Sequence, residues 1–576
     1  MTLTNAFNIG QSGLTTAQTA IQVAGHNLAN IATPGYTRQV ARIQPVVGSD
    51  EAVGVYIGRG VRVTEVIRQI DEALQGRLQD GVSRESFAST QEEVLSSIEG
   101  LLNELTGVDL STEINTFFAS FSEFANNPAA TETRATAVEA GVTLAAFTRA
   151  LSQDLQKIRQ GVDQQLGSAI KRADEILNEI ASINRAVTTS ESGRTQFNDL
   201  RDRRDQLLVE LSQLVEINTV EQPNGSVDVF IGSTPIVLAG ESRGVYFDQE
   251  VENGELVVAL RVRADDEKLN SGAGRIGGLL AVRDGPLKQT SDELNRLGSA
   301  LIFEVNRLHS SGRAGAPITD VTGSLRTPIA DQTLAFNDPT NETLSDLPFG
   351  PRNGTFTVVV RDSSGAEVRT VIEVDLDGID NTGAAGFGDD TSLATLATQI
   401  NSIANLNAEI TPAGELRVYT DTGFDVNFEN DSSGVLATLG VNAYFVGTNA
   451  GDIAVRADLR EEPLLLVAGL GEGTNETALA IALLREQGVD SLEGLTLENA
   501  WLKPVERVGV TTAGAKTRSD ATRLVRENLE AQRASISGVD ADEETLNLIQ
   551  FQRQYQAAAR FINVVDEMLQ TLIGII

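Results

Sequence analysis

The first 37 residues of this 576-residue chain, Met1 to Thr37, contain no Asp, Glu, Lys or Arg. Within that uncharged segment Leu3, Gly10, Ala17, Ala24 and Ile31 recur at one heptad position, and Phe7, Leu14, Ile21 and Leu28 at another. Alternating spacings of four and three place both sets on one helical stripe. The first set is mostly small, which lets a second helix approach closely. The opposite end carries a matching signal: Leu548, Phe551, Tyr555, Ala558, Ile562, Val565, Leu569, Leu572 and Ile576 alternate three and four apart. Its intervening face holds Gln550, Gln552, Gln554, Gln556, Asn563 and Gln570, where a solvated helix carries more charge. Burying glutamine costs less than burying Lys or Glu, so this face suits contact with further protein. Two amphipathic helices lying on a globular core remain the plainer alternative.

Composition narrows the function. The chain has 45 Lys and Arg against 80 Asp and Glu, a formal net charge of −35. Such a surface repels phosphate backbones and anionic lipid, so nucleic-acid binding is not expected. Cysteine is absent, which removes disulfides, thiolate nucleophiles and cysteine metal sites. Two histidines, His26 and His309, leave little for acid–base or metal chemistry. No enzyme activity, catalytic residue, cofactor or metal site is expected. The N-terminus has no positively charged region followed by an apolar run, so no cleaved signal peptide is expected. No apolar run reaches about 18 residues, so no membrane insertion is expected either.

At roughly 150 residues per domain the length suggests about four units. Helical periodicity runs over Val63–Leu105, Leu151–Val187, Asp199–Val215 (charge on one side, leucine on the other) and Ile276–His309. It resumes near Leu479–Arg485 and at Arg518–Ser535. Alternating residues between Gly35 and Arg62 suggest a β-hairpin. Residues 216–263 read as strands broken by turns, among them Asn253-Gly254, and a second β-rich stretch covers about 320–450 with one helix at Ser392–Ala404. The predicted fold is multidomain α+β: paired terminal helices form a coiled-coil or helical-bundle base, and β-rich domains are inserted in the middle. The predicted division is 1–40 with 525–576; 41–215 with 272–319 and 451–524; 216–271; and 320–450.

Two motifs lie beside the seams. Asn27, Leu28, Ala29 and Asn30 lead into Thr33, Pro34, Gly35 and Tyr36, a polar helix end followed by a stop and a turn. Near the other end stand Ser537, Gly538 and Val539, then Asp542, Glu543 and Glu544. Together they resemble the signature of bacterial flagellar rod, hook and hook-associated proteins, and within that family the hook–filament junction members. Asn198–Val215, Gly274–Asp284 and Val305–Gly312 match the same group, and Gly354–Thr420 resembles an inserted flagellin-hook module. Asp540 departs from the family's usual Asn, and Arg313-Ala314-Gly315-Ala316 replaces its usual Asp-Leu-Asn-Gly.

The resemblance implies a structural protein joining hook to filament, outside the cell, exported by the flagellar type III system. It implies self-association into a helical tubular ring, contacts with the hook protein and the second junction protein, and an export chaperone on the C-terminal helix. The expected assembly seam is Leu14, Ile21 and Leu28 with Leu548, Phe551, Tyr555, Ile562, Val565, Leu569 and Leu572; Leu14, Ile21 and Leu28 are expected to meet Tyr555, Ile562 and Leu569. Without neighbours both ends are expected to be disordered. Alternatives are another axial protein (hook or second junction protein), or a junction protein whose outer insertion acts as an adhesin or hydrolase.

Three weaker patterns compete. Gly509 to Thr517 resembles a P-loop with Ala515 inserted before Lys516, which displaces the lysine from any phosphate. Asp375, Asp377 and Asp380 suggest calcium, yet Asp380 and Gly386 stand where an EF-hand needs Gly and Glu, so a solvated acidic turn is expected, with weak calcium binding as the alternative. Trp501, His26 and His309 read as structural residues.

Overall fold

The computed structural model describes residues 3–47, 49–52, 55–102, 109–190, 197–252, 255–345, 347–380, 382–471 and 473–575. Leu105, the Asn253-Gly254 turn and Ile576 lie outside them. The helices are α1 (Leu3–Ala29), α2 (Glu72–Leu102), α3 (Leu110–Asn126), α4 (Thr131–Ser190), α5 (Asn198–Leu214), α6 (Gly274–Val282), α7 (Lys288–His309), α8 (Glu342–Ser345), α9 (Leu393–Asn401), α10 (Val435–Leu439), α11 (Ala457–Glu461), α12 (Glu476–Leu483), α13 (Leu497–Ser537) and α14 (Ala541–Ile575). With strands in the middle of the chain and long helices at its ends, the fold class is the predicted α+β. The described residues form two compact units: Met1–Val94 with Gly161–Val282 and Ala513–Ile576, and Leu95–Gln160 with Arg283–Thr512.

In the first unit, strand Gln39–Pro45 pairs antiparallel with Val61–Arg68, with an irregularity at Arg42/Ile43. The helix expected from Val63 therefore starts later, at Glu72. Five of the eight residues of VRVTEVIR are β-branched, which favours a strand. Asp71 then starts the helix by accepting from the Leu74 backbone N–H at 3.0 Å. Residues 218–242 form a four-stranded antiparallel sheet in sequence order, and 245–269 a three-stranded one. The sequence of α5 puts leucine on one side and charge on the other; in the structure Asp202, Arg204 and Asp205 are buried, as are Leu207, Leu208 and Leu211.

The second unit contains α3, which the periodicity reading did not pick out. Its Phe117, Phe118, Phe121 and Phe124 are fully buried, and Phe117 and Phe121 lie against Tyr444 with ring centroids 5.7 and 5.5 Å away. Interlocked edge-on and tilted rings add to the area they bury. His309 is buried, 2.8 Å from the Asn442 carbonyl through Nδ1 and accepting from the Val467 N–H at 3.1 Å through Nε2. Trp501 is fully buried as well. Residues 354–429 form a module in which strand Gly354–Asp362 pairs with Glu367–Val374 and Phe424–Glu429. Phe356, Val358, Leu396, Ile400, Val426 and Phe428 fill its core. Arg313 and Ala314, at the family departure, pair with Gly469 and Val467.

Candidate assembly site

Helices α1 and α14 pack antiparallel within one chain. A Cβ placed on Gly10 would lie 2.7 Å from Ile562 Cγ1, and one on Gly13 would lie 3.6 Å from Ala558 Cβ. Gly10, Ala17, Ala20 and Ala24 are buried. The free ends expected to be disordered thus have an intramolecular partner, because the small stripe of α1 lets α14 settle onto it.

That close approach moves the large seam residues outward. Val565 is buried; Leu14, Ile21, Leu548, Phe551, Ile562 and Leu569 are half-buried; Leu28, Tyr555 and Leu572 are exposed. Of the residues expected to meet, Leu14, Ile21 and Leu28 with Tyr555, Ile562 and Leu569, Ile562 packs against Gly10 of the small set. Two helices alone can bury only a narrow stripe, so the remaining apolar side chains face out. Phe7 and Leu28 on α1, Ile31 just beyond its end, and Ile549, Phe561, Val564, Met568 and Ile573 on α14 are all more than a third exposed. A run of this kind marks a surface for association.

The two sequence motifs meet where the helix pair ends. Asn27, at the end of α1, is buried and uses its whole amide: Nδ2 donates to the Gln39 carbonyl at 2.9 Å, and Oδ1 accepts from the Gln39 N–H at 3.0 Å. The same Oδ1 accepts from the Tyr36 hydroxyl at 2.8 Å. The Tyr36 oxygen lies 3.0 Å from His26 Nδ1. Burial, reinforced by Asp202, Asp199 and Glu544, holds the Tyr36 phenol above its ordinary pKa, so it stays a donor. Asn30 donates to the His26 carbonyl at 2.9 Å and accepts from Thr33 Oγ1 at 3.2 Å. Gly35 turns with φ +78°, and its missing Cβ makes room for the Gln206 side chain. Gln206 Nε2 donates to the Pro34 carbonyl at 2.5 Å. Leu28, Ala29, Thr33 and Pro34 are exposed around this turn.

From the other motif, the Ser537 carbonyl accepts from the Arg38 N–H at 2.9 Å. The Arg38 guanidinium bridges Glu544 at 2.7 Å and Glu543 at 2.9 Å. Gly538 closes α13, since any side chain there would strike the Ala534 carbonyl. Val539 is half-buried and Asp542 exposed. Asp540, the departure from the family's Asn, accepts from the backbone N–H of Asp542 and Glu543 at 2.9 and 3.0 Å. A carboxylate does this capping as well as an amide and favours the positive end of the helix dipole.

Sequence reading missed the support beneath this junction. Arg68 lies 2.9 Å from Asp202 and 2.6 Å from Asp205, all three side chains nearly buried. Burial disfavours the Arg68 charge, yet the two carboxylates outweigh it and hold its pKa above the ordinary value. Asp202 also accepts from the Thr37 N–H at 3.3 Å. The signal was the i, i+3 spacing of Asp202 and Asp205, hidden in a run of charge.

The P-loop-like Gly509–Thr517 lies inside the continuous helix α13. Its amides are not arranged as a phosphate-cradling loop. No helix among the described residues is long and apolar enough to cross a membrane.

Three family models match the chain. Residues 95–321 match the flagellar hook-associated protein FlgK helical domain. Residues 530–575 match the flagellar basal body rod FlgEFG protein C-terminal region, and 7–37 the flagella basal body rod protein. Flagellar hook-associated protein 1 of Salmonella typhimurium is 24% identical over 614 residues, covering 100% of both chains. That of Escherichia coli is 25% identical over 600 residues, again covering 100% of both. That of Bacillus subtilis is 23% identical over 97% of this chain and 96% of its own. The flagellar hook junction protein FlgK from Burkholderia pseudomallei superposes with a TM-score of 0.49 at 15% identity, over 80% of this chain and 100% of that one. The two family models at the ends fall on the helices that pair, and the curated relatives that the chain matches along all or nearly all of its length are flagellar hook-associated proteins.

Proposed function

We propose that this chain is the structural junction between hook and filament of the bacterial flagellum, assembled from copies that associate through their terminal helix pairs. The observation that carries this reading is the apolar outer face of α1 and α14, left uncovered after the two helices have packed together. Neighbouring copies that bind head to tail without closing on themselves generate a helical array, and this face supplies the area for it. The family's full-length curated relatives bear the name hook-associated protein 1, which agrees with an axial place in the flagellum.

The finer parts of the reading go with it. The tubular ring adjoins the hook protein on one side and the second junction protein on the other. The subunit leaves the cell through the flagellar type III system, with a chaperone masking the apolar face of α14 beforehand. The protein is not an enzyme. Residues 1–40 with 525–576 form the inner tube; 41–215 with 272–319 and 451–524 the surrounding bundle; 216–271 and 320–450 the insertions, with 320–450 outermost. The motif residues Asn27, Tyr36, Ser537, Gly538 and Glu544 set the geometry of the inner pair rather than touching a partner.

The deciding experiment replaces the chromosomal copy in the source bacterium with Val564→Asp. Cells that carry hooks but shed unattached filament subunits support the junction reading. Normal filaments and swimming overturn it. Deleting 550–576 should also abolish chaperone capture; retained capture places that contact elsewhere.

A further inference from the structure

The loop joining strand Glu367–Val374 to α9 is drawn closed at its base. Thr391 N–H donates to the Asp375 carbonyl at 2.7 Å, and Asp375 N–H donates to Thr391 Oγ1 at 2.9 Å. This closure gathers carboxylates: one oxygen each from Asp375, Asp377 and Asp390 lies within 4.8 Å of the others. No basic residue occurs in the chain between Arg369 and Arg417.

Asp390 gives the independent observation. It is only 3% exposed. Its Oδ2 accepts from Asn337 Nδ2 at 2.7 Å and Gly378 N–H at 3.2 Å, but its buried Oδ1 has no hydrogen-bond partner. The buried Oδ1 atoms of Asn337 and Asp389 are likewise unpartnered. A buried carboxylate oxygen without a donor is costly, and several acceptors together with no donor call for a cation.

We propose that Asp375, Asp377 and Asp390, with Asn337 and Asp389 beside them, bind one calcium ion that ties this loop to the β module. All the candidate ligands are hard oxygens, without His or Cys, which disfavours zinc and its relatives. Calcium tolerates an irregular oxygen set, whereas magnesium demands near-octahedral geometry and keeps its waters. Asp380 takes no part: its Oδ1 is occupied by Thr382 and Ala384. The site is therefore built by loop closure and not by EF-hand order, and it replaces the expectation of a solvated acidic turn.

The test uses the full chain stripped of metal, titrated with calcium chloride by calorimetry and melted with and without it. Binding with a dissociation constant on the order of 0.1–1 mM is expected, as for extracellular modules. At 10 mM calcium chloride the transition containing the β module should rise by about 2 °C or more. Asp377→Asn removes a ligand charge yet keeps the Oδ1 that accepts from the Ile379 N–H at 2.8 Å, so the fold is retained. That variant should lose both the heat and the shift. In chelator it should melt no lower than the parent, because it relieves like-charge repulsion. Absence of binding by the parent overturns the proposal. So does an equal shift in Asp377→Asn, or an equal shift with magnesium or sodium at matched ionic strength.

Discussion

Arg38 and Glu544 stand 506 positions apart in the chain and meet at 2.7 Å, with the Glu544 side chain only 3% exposed. This ion pair joins the turn after α1 to the first turn of α14. Two motifs that look separate in the sequence are one structural element.

Removing one member of the pair should cost more than removing both. Arg38→Leu leaves Glu544 buried without its counter-charge, and a loss of about 3 kcal/mol is expected in the unit that holds the helix pair. Arg38→Leu with Glu544→Leu should recover much of it. Urea unfolding of the four species in a double-mutant cycle gives the coupling, and a coupling near zero would mean the pair is incidental.

Gly10 sets the spacing of α1 and α14. Gly10→Leu drives a side chain into Ile562, whose Cγ1 would lie 2.7 Å from the new Cβ. The helix pair should open and α14 should exchange amide protons at least tenfold faster, a loss of about 1.4 kcal/mol or more. Adding Ile562→Ala makes room and should restore much of the protection. If the double variant exchanges as fast as Gly10→Leu alone, this contact does not set the spacing.

Val564 and Ile562 separate association from folding. Val564 is 53% exposed, so Val564→Asp should leave the subunit's melting temperature within about 1 °C while blocking polymerisation. Ile562 is half-buried against Gly10, so Ile562→Asp should lower both. Melting curves and sedimentation of the two variants compare these outcomes directly.

His309 makes the second unit acid-sensitive. Burial, with a smaller contribution from Arg456, pushes its pKa from 6.5 down to about 3. The folded state therefore keeps a neutral ring where the unfolded chain is protonated. Stability from this group is present above pH 6.5 and is lost progressively as pH falls toward 3, by a total of a few kcal/mol. Between pH 6.5 and 5, before most carboxylates titrate, stability should fall steadily in the parent. His309→Gln should be less stable at pH 7 with a flatter slope over that window. Parallel slopes in denaturant titrations would exclude His309 as the cause.

Much of the architecture was legible because it is local. Heptad spacing and the charge-free segment placed a long helix at each end, and the alternation in 216–263 located the β strands, since side-chain periods of 3.6 and 2 are read along the chain itself. The motif residues were legible as a helix stop, but their purpose was not. Asn27 holds Gln39 and Tyr36, and Arg38 holds Glu544, only once the turn has brought them together.

The sequence by itself determined that small residues line one side of α1 and that apolar residues repeat along α14. Tertiary structure alone decided which of them are buried. Close approach favours the glycine and alanine stripe, and a pair of helices has too little surface to cover Leu28, Tyr555 and Leu572 as well. It also decided the sign of the charged positions. Asp202 and Asp205 look like solvent-facing charge until Arg68 arrives from a distant strand, and Asp390 looks like one acid among many until loop closure buries it beside Asp375 and Asp377. Burial and counter-charge are properties of neighbours in space, which residue spacing along the chain does not carry.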